Sequence, residues 1–175
     1  MIFVNFKNYL SGQGVKGQQL QQLCQEVATA TGVPIYLVIN NRWARGVLLN
    51  HSSCPATYSQ IKNFMSNFPL LKTLICCSSL EEGLKLARLR STYLAYEPPE
   101  LIGGQISVST ARPAIIKDFV DQIRFLPILV GAGIHNSNDV SQARRLGAAG
   151  VLVSSAVMAA SHPRQVLLDL TRGFR

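Results

Sequence analysis

The sequence predicts an α/β fold: a (β/α) barrel truncated to about seven parallel strands, one βα unit short of eight. Three observations carry the prediction. Short apolar runs alternate with amphipathic stretches from end to end, as repeated βα units do around a parallel sheet. Polar and glycine residues collect just after those runs, at the strand ends where such folds bind ligands. The chain has 175 residues, fewer than the ~200 or more a complete barrel takes.

The elements follow in order. Ile2 to Phe6 is the first strand, and Leu20, Leu23, Cys24 and Val27 then share one helical face. Ile35 to Ile39 and Val47 to Leu49 are the next two strands. The connection between them, Asn40 to Gly46, is too short for the crossover a parallel pair takes, which locates the missing unit. Ile61, Phe64, Met65 and Phe68 form the next stripe, with Thr57 as its N-cap. Strands at Leu71 to Cys76, Tyr93 to Tyr96, Pro127 to Val130 and Val151 to Val153 alternate with four further stripes. These are Leu80, Leu84 and Ala87; Ile116, Phe119, Val120 and Ile123; Val140, Ala143 and Leu146, capped by Ser137; and Val166, Leu167 and Leu170. No linker or low-complexity segment interrupts them, so residues 1–175 are expected to form one domain.

Composition narrows the setting. No apolar run reaches the ~18 residues of a membrane span, and Lys7 follows the first apolar stretch instead of preceding it, the wrong order for a signal peptide. Cys24, Cys54, Cys76 and Cys77 lack C-x-x-C spacing and read as reduced thiols, so a cytoplasmic protein without a membrane partner is expected. The formal charge of +8 favours anions, but the basic residues are scattered and lack interleaved aromatics, which argues against nucleic acid.

Asn5 and Lys7 fall at the end of the first strand, Asn50-His51-Ser52 after the third, and Glu97-Pro98-Pro99-Glu100 after the fifth. Alone, each has an ordinary explanation: a solvated strand-end lysine, a structural histidine, a loop carboxylate. Together they place a cation, an imidazole and a carboxylate at ends that converge on one face. Gly103-Gly104, Gly131, Gly133, Ser154 and Ser155 add backbone N–H groups and hydroxyls suited to an anion such as phosphate.

These residues carry a resemblance. VNFKNY at 4–9, NHSS at 50–53, YEPPELIGG at 96–104, GAGIHNSNDV at 131–140 and GVLVSSAV at 150–157 resemble the triosephosphate isomerase family in its compact archaeal-type branch, in order over nearly the whole chain. The resemblance implies a truncated TIM-type barrel that interconverts glyceraldehyde 3-phosphate and dihydroxyacetone phosphate. It implies Asn5 and Lys7 as substrate ligands, His51 as electrophile and Glu97 as base. Ile102 and Gly103 would belong to a closing loop, and Gly133, Ser154 and Ser155 would hold the phosphate. Isomerisation needs a proton taken from carbon beside a stabilised oxyanion, which calls for no metal and no cofactor. The rival reading is a non-catalytic phosphate-binding barrel descended from such an isomerase.

Three departures stand out. Ser53 occupies a place where the family has an acid that orients the active-site lysine. The lid reads Ile102-Gly103-Gly104-Gln105 in place of Ile-Gly-Thr-Gly, and Ala156 replaces a glycine. The shortened Asn40 to Gly46 stretch also removes the loop that relatives insert into a neighbouring subunit. A homo-oligomer is therefore expected to form by another contact, around Trp43.

Overall fold

The structure is a computed structural model that describes residues 1–7, 9, 14–43 and 46–175. Seven strands run parallel: β1 (Ile2–Asn5), β2 (Ile35–Val38), β4 (Gly46–Leu49), β5 (Lys72–Cys77), β6 (Tyr93–Tyr96), β7 (Ile128–Gly131) and β8 (Gly150–Val153). An eighth, β3 (Arg42–Trp43), is antiparallel to β4. The sheet order is β2-β1-β8-β7-β6-β5-β4-β3, and an antiparallel bridge between Ile39 and Arg42 joins its two ends, so the barrel is nearly closed.

β3 resolves the short connection. Asn40 and Asn41 take φ of 48° and 60°, while Ile39 and Arg42 exchange both backbone hydrogen bonds, at 2.8 and 2.9 Å. This is a two-residue hairpin turn with φ positive at both central residues, a conformation asparagine tolerates. Two reversals let β2 and β4 point the same way without a crossover helix, because each is antiparallel to the strand between them. The expected seven strands are thus present, with a short antiparallel insert where the sequence shows only a gap. Opposite Gly46 there is no room for a side chain: a Cβ would meet the Trp43 ring and the Lys72 carbonyl.

Side chains alternate across the strands. Phe3, Val38, Leu48, Leu74, Ala95, Leu129 and Leu152 fill the barrel, and Tyr36, Trp43 and Tyr93 close around Phe3 with ring centroids 4.8, 5.3 and 5.4 Å from it. Ile2, Val4, Ile75, Leu94, Val130 and Val151 point outward against the helices. Those helices are α1 (Gly14–Thr31), α2 (Tyr58–Asn67), α3 (Leu80–Ala87), α4 (Val108–Ala111), α5 (Pro113–Gln122), α6 (Ser137–Arg145), α7 (Ser155–Met158) and α8 (Pro163–Arg172).

Capping decides several boundaries. Thr57 caps α2 in a reciprocal box with Gln60, as its sequence position suggests. For α6 the expected cap, Ser137, is the first helical residue. Asn136 caps instead, because its side chain accepts from the N–H groups of both Asn138 and Asp139. The α2 stripe is also less buried than its pattern suggests: only Ile61 is buried and Phe68 is 51% exposed, since no βα unit lies beside it on the β3 side.

Candidate active site

The strand ends do converge. Asn5, Lys7, His51, Glu97, Ile102, Gly103, Gly133, Ser154 and Ser155 all line one cavity of about 40 Å³ at the carboxyl end of the barrel.

His51 is 1% exposed, and its ring orientation is fixed on one side. The backbone N–H of Ser53 donates to Nδ1 at 3.1 Å, and the Ser53 hydroxyl lies 2.8 Å from the same nitrogen. Nδ1 is therefore the acceptor, and Nε2 carries the proton toward the cavity. Burial, assisted by the positive charge of Lys7, lowers the imidazole from 6.5 to about 4, so it is neutral near neutral pH.

Nε2 lies 3.8 Å from Oε2 of Glu97, a separation beyond a hydrogen bond. Burial raises the Glu97 carboxyl above its ordinary value, opposed by the thiol of Cys76 beneath it and by Lys7. Cys76 is itself buried, which keeps its thiol protonated and able to donate. Among the described residues, two buried side-chain atoms lack a protein hydrogen-bond partner: Oε2 of Glu97 and Nδ2 of Asn5, both belonging to residues that line this cavity. Buried polar groups are ordinarily satisfied, so both are poised for a bound group.

The backbone sets these side chains. Asn5 Oδ1 accepts from Lys7 N–H at 3.1 Å in a turn where Lys7 has φ 46°. Ser154 spends its hydroxyl on the Asn5 carbonyl at 2.6 Å, tying the end of β8 to the end of β1. Its N–H, with those of Gly133 and Ser155, has no acceptor among the described residues. Gly133 is required by φ 65° and by the Ile106 carbonyl and Ser107, which occupy the place of any Cβ.

Gly131 has a role here other than the anion donor its position suggests, and His135 is a lining residue the sequence does not single out. A Cβ on Gly131 would lie 2.7 Å from Cγ and Oε1 of Glu97, so this glycine makes room for the carboxylate. His135 lines the cavity, and its Nε2 lies 2.8 Å from the Gly104 carbonyl, bridging the loop after β7 to the 98–107 segment. The only sequence signal for either is proximity to the G-x-G at a strand end.

Relatives agree with this arrangement. A sequence model of the family described as triosephosphate isomerase matches residues 72–172. The chain is 31% identical to a triosephosphate isomerase of Metallosphaera sedula, covering 99% of this chain and 95% of that one, and 41% identical over 131 residues to one of Thermoplasma volcanium, covering 73% and 62%. Among solved structures, a thiamine phosphate pyrophosphorylase from Pyrococcus furiosus superposes with a TM-score of 0.63 at 17% identity, over 97% of this chain and 92% of that one, a likeness of fold alone. The Metallosphaera alignment spans 216 positions against 175 residues here, so at least 41 positions have no counterpart, about the size of one βα unit. With the family model covering more than half the chain and a relative of this similarity spanning nearly all of it, the chain belongs to the triosephosphate isomerase family, in its archaeal type.

Proposed function

We propose that this chain is a working isomerase that interconverts glyceraldehyde 3-phosphate and dihydroxyacetone phosphate. The observation that carries the reading is a buried Glu97 carboxylate whose Oε2 has no hydrogen-bond partner and lies 3.8 Å from a neutral imidazole whose N–H faces the same cavity. In this reading Glu97 takes the proton from the carbon beside the carbonyl and returns it to the neighbouring carbon, so atoms balance with no other reactant. His51 Nε2–H donates to the oxygen that gains charge and passes a proton between the two oxygens of the enediolate. Lys7 and the Asn5 amide stabilise that charge. The N–H groups of Gly133, Ser154 and Ser155 hold the phosphate, Ile102 and Gly103 close over it, and exclusion of water protects the enediolate from losing phosphate.

The reading includes a cytoplasmic setting, supported by cysteines that are all free thiols, and no nucleic-acid or membrane partner. No described helix is long and apolar enough to cross a membrane. It also includes self-association at the flank around Trp43. Support comes from a groove of about 490 Å³ walled by Trp43, Val47, Phe64, Phe68 and Leu71, beside Leu70, which is 96% exposed.

A coupled assay of purified protein in both directions tests the activity. Turnover that Glu97→Gln abolishes supports it. Binding of a non-reacting triose phosphate analogue without any turnover would instead establish a non-catalytic binder.

A further inference from the structure

The acid expected after the His-Ser pair is replaced in this chain by a residue that reaches the imidazole. Ser53 Oγ lies 2.8 Å from Nδ1 of His51, and the backbone N–H of the same residue reaches that nitrogen at 3.1 Å. Hydrogen accounting fixes the direction of both contacts. A backbone N–H always presents its hydrogen, so Nδ1 must present its lone pair. The ring then has no hydrogen on that side for Oγ to accept, and the hydroxyl donates as well. A carboxylate at this position has no hydrogen to give, so only a hydroxyl makes the second contact.

Nothing else among the described residues holds the ring by a hydrogen bond. The loop that carries it is pinned nearby: Cys54 N–H donates to the His51 carbonyl at 2.7 Å, and Asn50 spans the Cys76 carbonyl, Glu82 and the Ala56 N–H at 2.9, 3.0 and 3.0 Å. These bonds fix where the backbone sits and leave the choice of ring proton to Ser53. The charged groups facing the ring are Lys7, from the end of β1, and Glu97, from the end of β6. Glu97 favours a proton on Nε2, which strengthens the preference that Ser53 imposes from the opposite nitrogen.

We propose that Ser53 is a positioning residue through its hydroxyl: beside the backbone N–H that already makes Nδ1 of His51 an acceptor, Oγ supplies a second donor that opposes a proton on that nitrogen and steadies the Nε2–H form that faces the substrate. The proposal deepens the isomerase reading, since it rests on His51 acting through Nε2–H. Its primary readout does not depend on turnover.

The side chain of Ser53 is exposed, so its replacement does not threaten the fold. The experiment compares Ser53→Ala and Ser53→Thr by nitrogen NMR of the His51 ring in unliganded protein, alongside steady-state kinetics. In Ser53→Ala the backbone N–H remains, so the ring is expected to stay in the Nε2–H form with its Nδ1 resonance displaced by the loss of one donor, and His51 is expected to take up its second proton at a higher pH than the parent. Turnover is expected to fall about 3- to 10-fold, the worth of one hydrogen bond, with KM unchanged. Ser53→Thr keeps the hydroxyl and is expected to restore the ring spectrum and the turnover. The proposal is overturned if Ser53→Ala leaves the ring spectrum as in the parent, or if Ser53→Thr behaves like Ser53→Ala. Absence of triose phosphate turnover in the parent would defeat the isomerase reading while the ring spectra still decided the role of Ser53.

Discussion

Glu97 and His51 share a buried space, and burial moves them in opposite directions: the carboxyl is raised from 4.5 and the imidazole is lowered from 6.5 to about 4. Between pH 6.5 and 4 the unfolded chain binds a proton at His51 that the native chain refuses. The His51 contribution to stability is therefore complete above 6.5 and is lost as pH falls toward 4, on the order of 3 kcal/mol. Glu97 has the reverse sign, its contribution being complete below 4.5 and lost as pH rises through its raised value. Urea denaturation across this range is expected to show that His51→Asn flattens the acid-side loss; an unchanged slope would mean that the ring titrates normally. In catalysis, the acid limb of the kcat profile is expected to lie above pH 4.5 and to follow Glu97, because His51 stays neutral throughout. Gly131→Ala is expected to lower kcat by 10-fold or more while leaving phosphate-analogue affinity within about 2-fold, since the added Cβ falls on the carboxylate and not on Gly133, Ser154 or Ser155, the proposed phosphate donors. Asn5, Lys7, His51 and Glu97 are legible in the sequence because polar residues directly after apolar runs reveal a strand end. The contacts of Gly131 and Cys76 with Glu97 are not, because they depend on what lies across the barrel, which linear spacing does not encode. Ser53 appears in the sequence only as the loss of an acid, whereas its hydroxyl lies against His51.

The β3 hairpin is the element the sequence hides. Its two residues are too few for an alternation pattern, and the strongest available sign is the Asn40-Asn41 pair, whose positive φ values belong to a two-residue turn. Parallel strands and most helical stripes were readable because each repeats a period over several residues. The α2 stripe has the right period, yet its outer half is exposed, because a period shows which residues share a face but not whether a neighbour exists to cover it. Two substitutions test the hairpin. Asn41→Gly suits the positive φ and is expected to leave the melting temperature within about 2 °C or raise it, whereas Asn41→Val is expected to lower it, by about 1–2 kcal/mol of stability. Gly46→Ala, which sets a methyl against Trp43 and the Lys72 carbonyl, is expected to cost more than Asn41→Val. Thermal denaturation followed by circular dichroism measures all three, and equal melting temperatures for Asn41→Gly and Asn41→Val would show that the turn is not formed.

For the whole molecule, the absent unit leaves an apolar groove bordered by Phe64, Phe68 and Trp43, and the proposed self-association would cover it. Light scattering over a dilution series is expected to show a concentration-dependent dimer that Phe68→Asp dissociates; a monomer at every concentration would exclude it. Trp43 is the sole tryptophan, so a red shift of its emission on dissociation would report exposure of this flank. Closure by β3 also bears on how the native state fluctuates. Six parallel pairings bind the other strands through three or four residue pairs each, whereas β3 meets β4 through two and β2 through a single bridge. The barrel therefore has a seam, and a ring with one weak joint opens there before it unfolds. Amide hydrogens of Arg42 and of Ile39 are expected to exchange through such openings at rates far above those of Ile75 or Leu94, at a free energy well below that of global unfolding. Since His51 follows β4 by two residues, the same opening would loosen the imidazole's side of the cavity, so the strength of this seam bears on how firmly the ring is held.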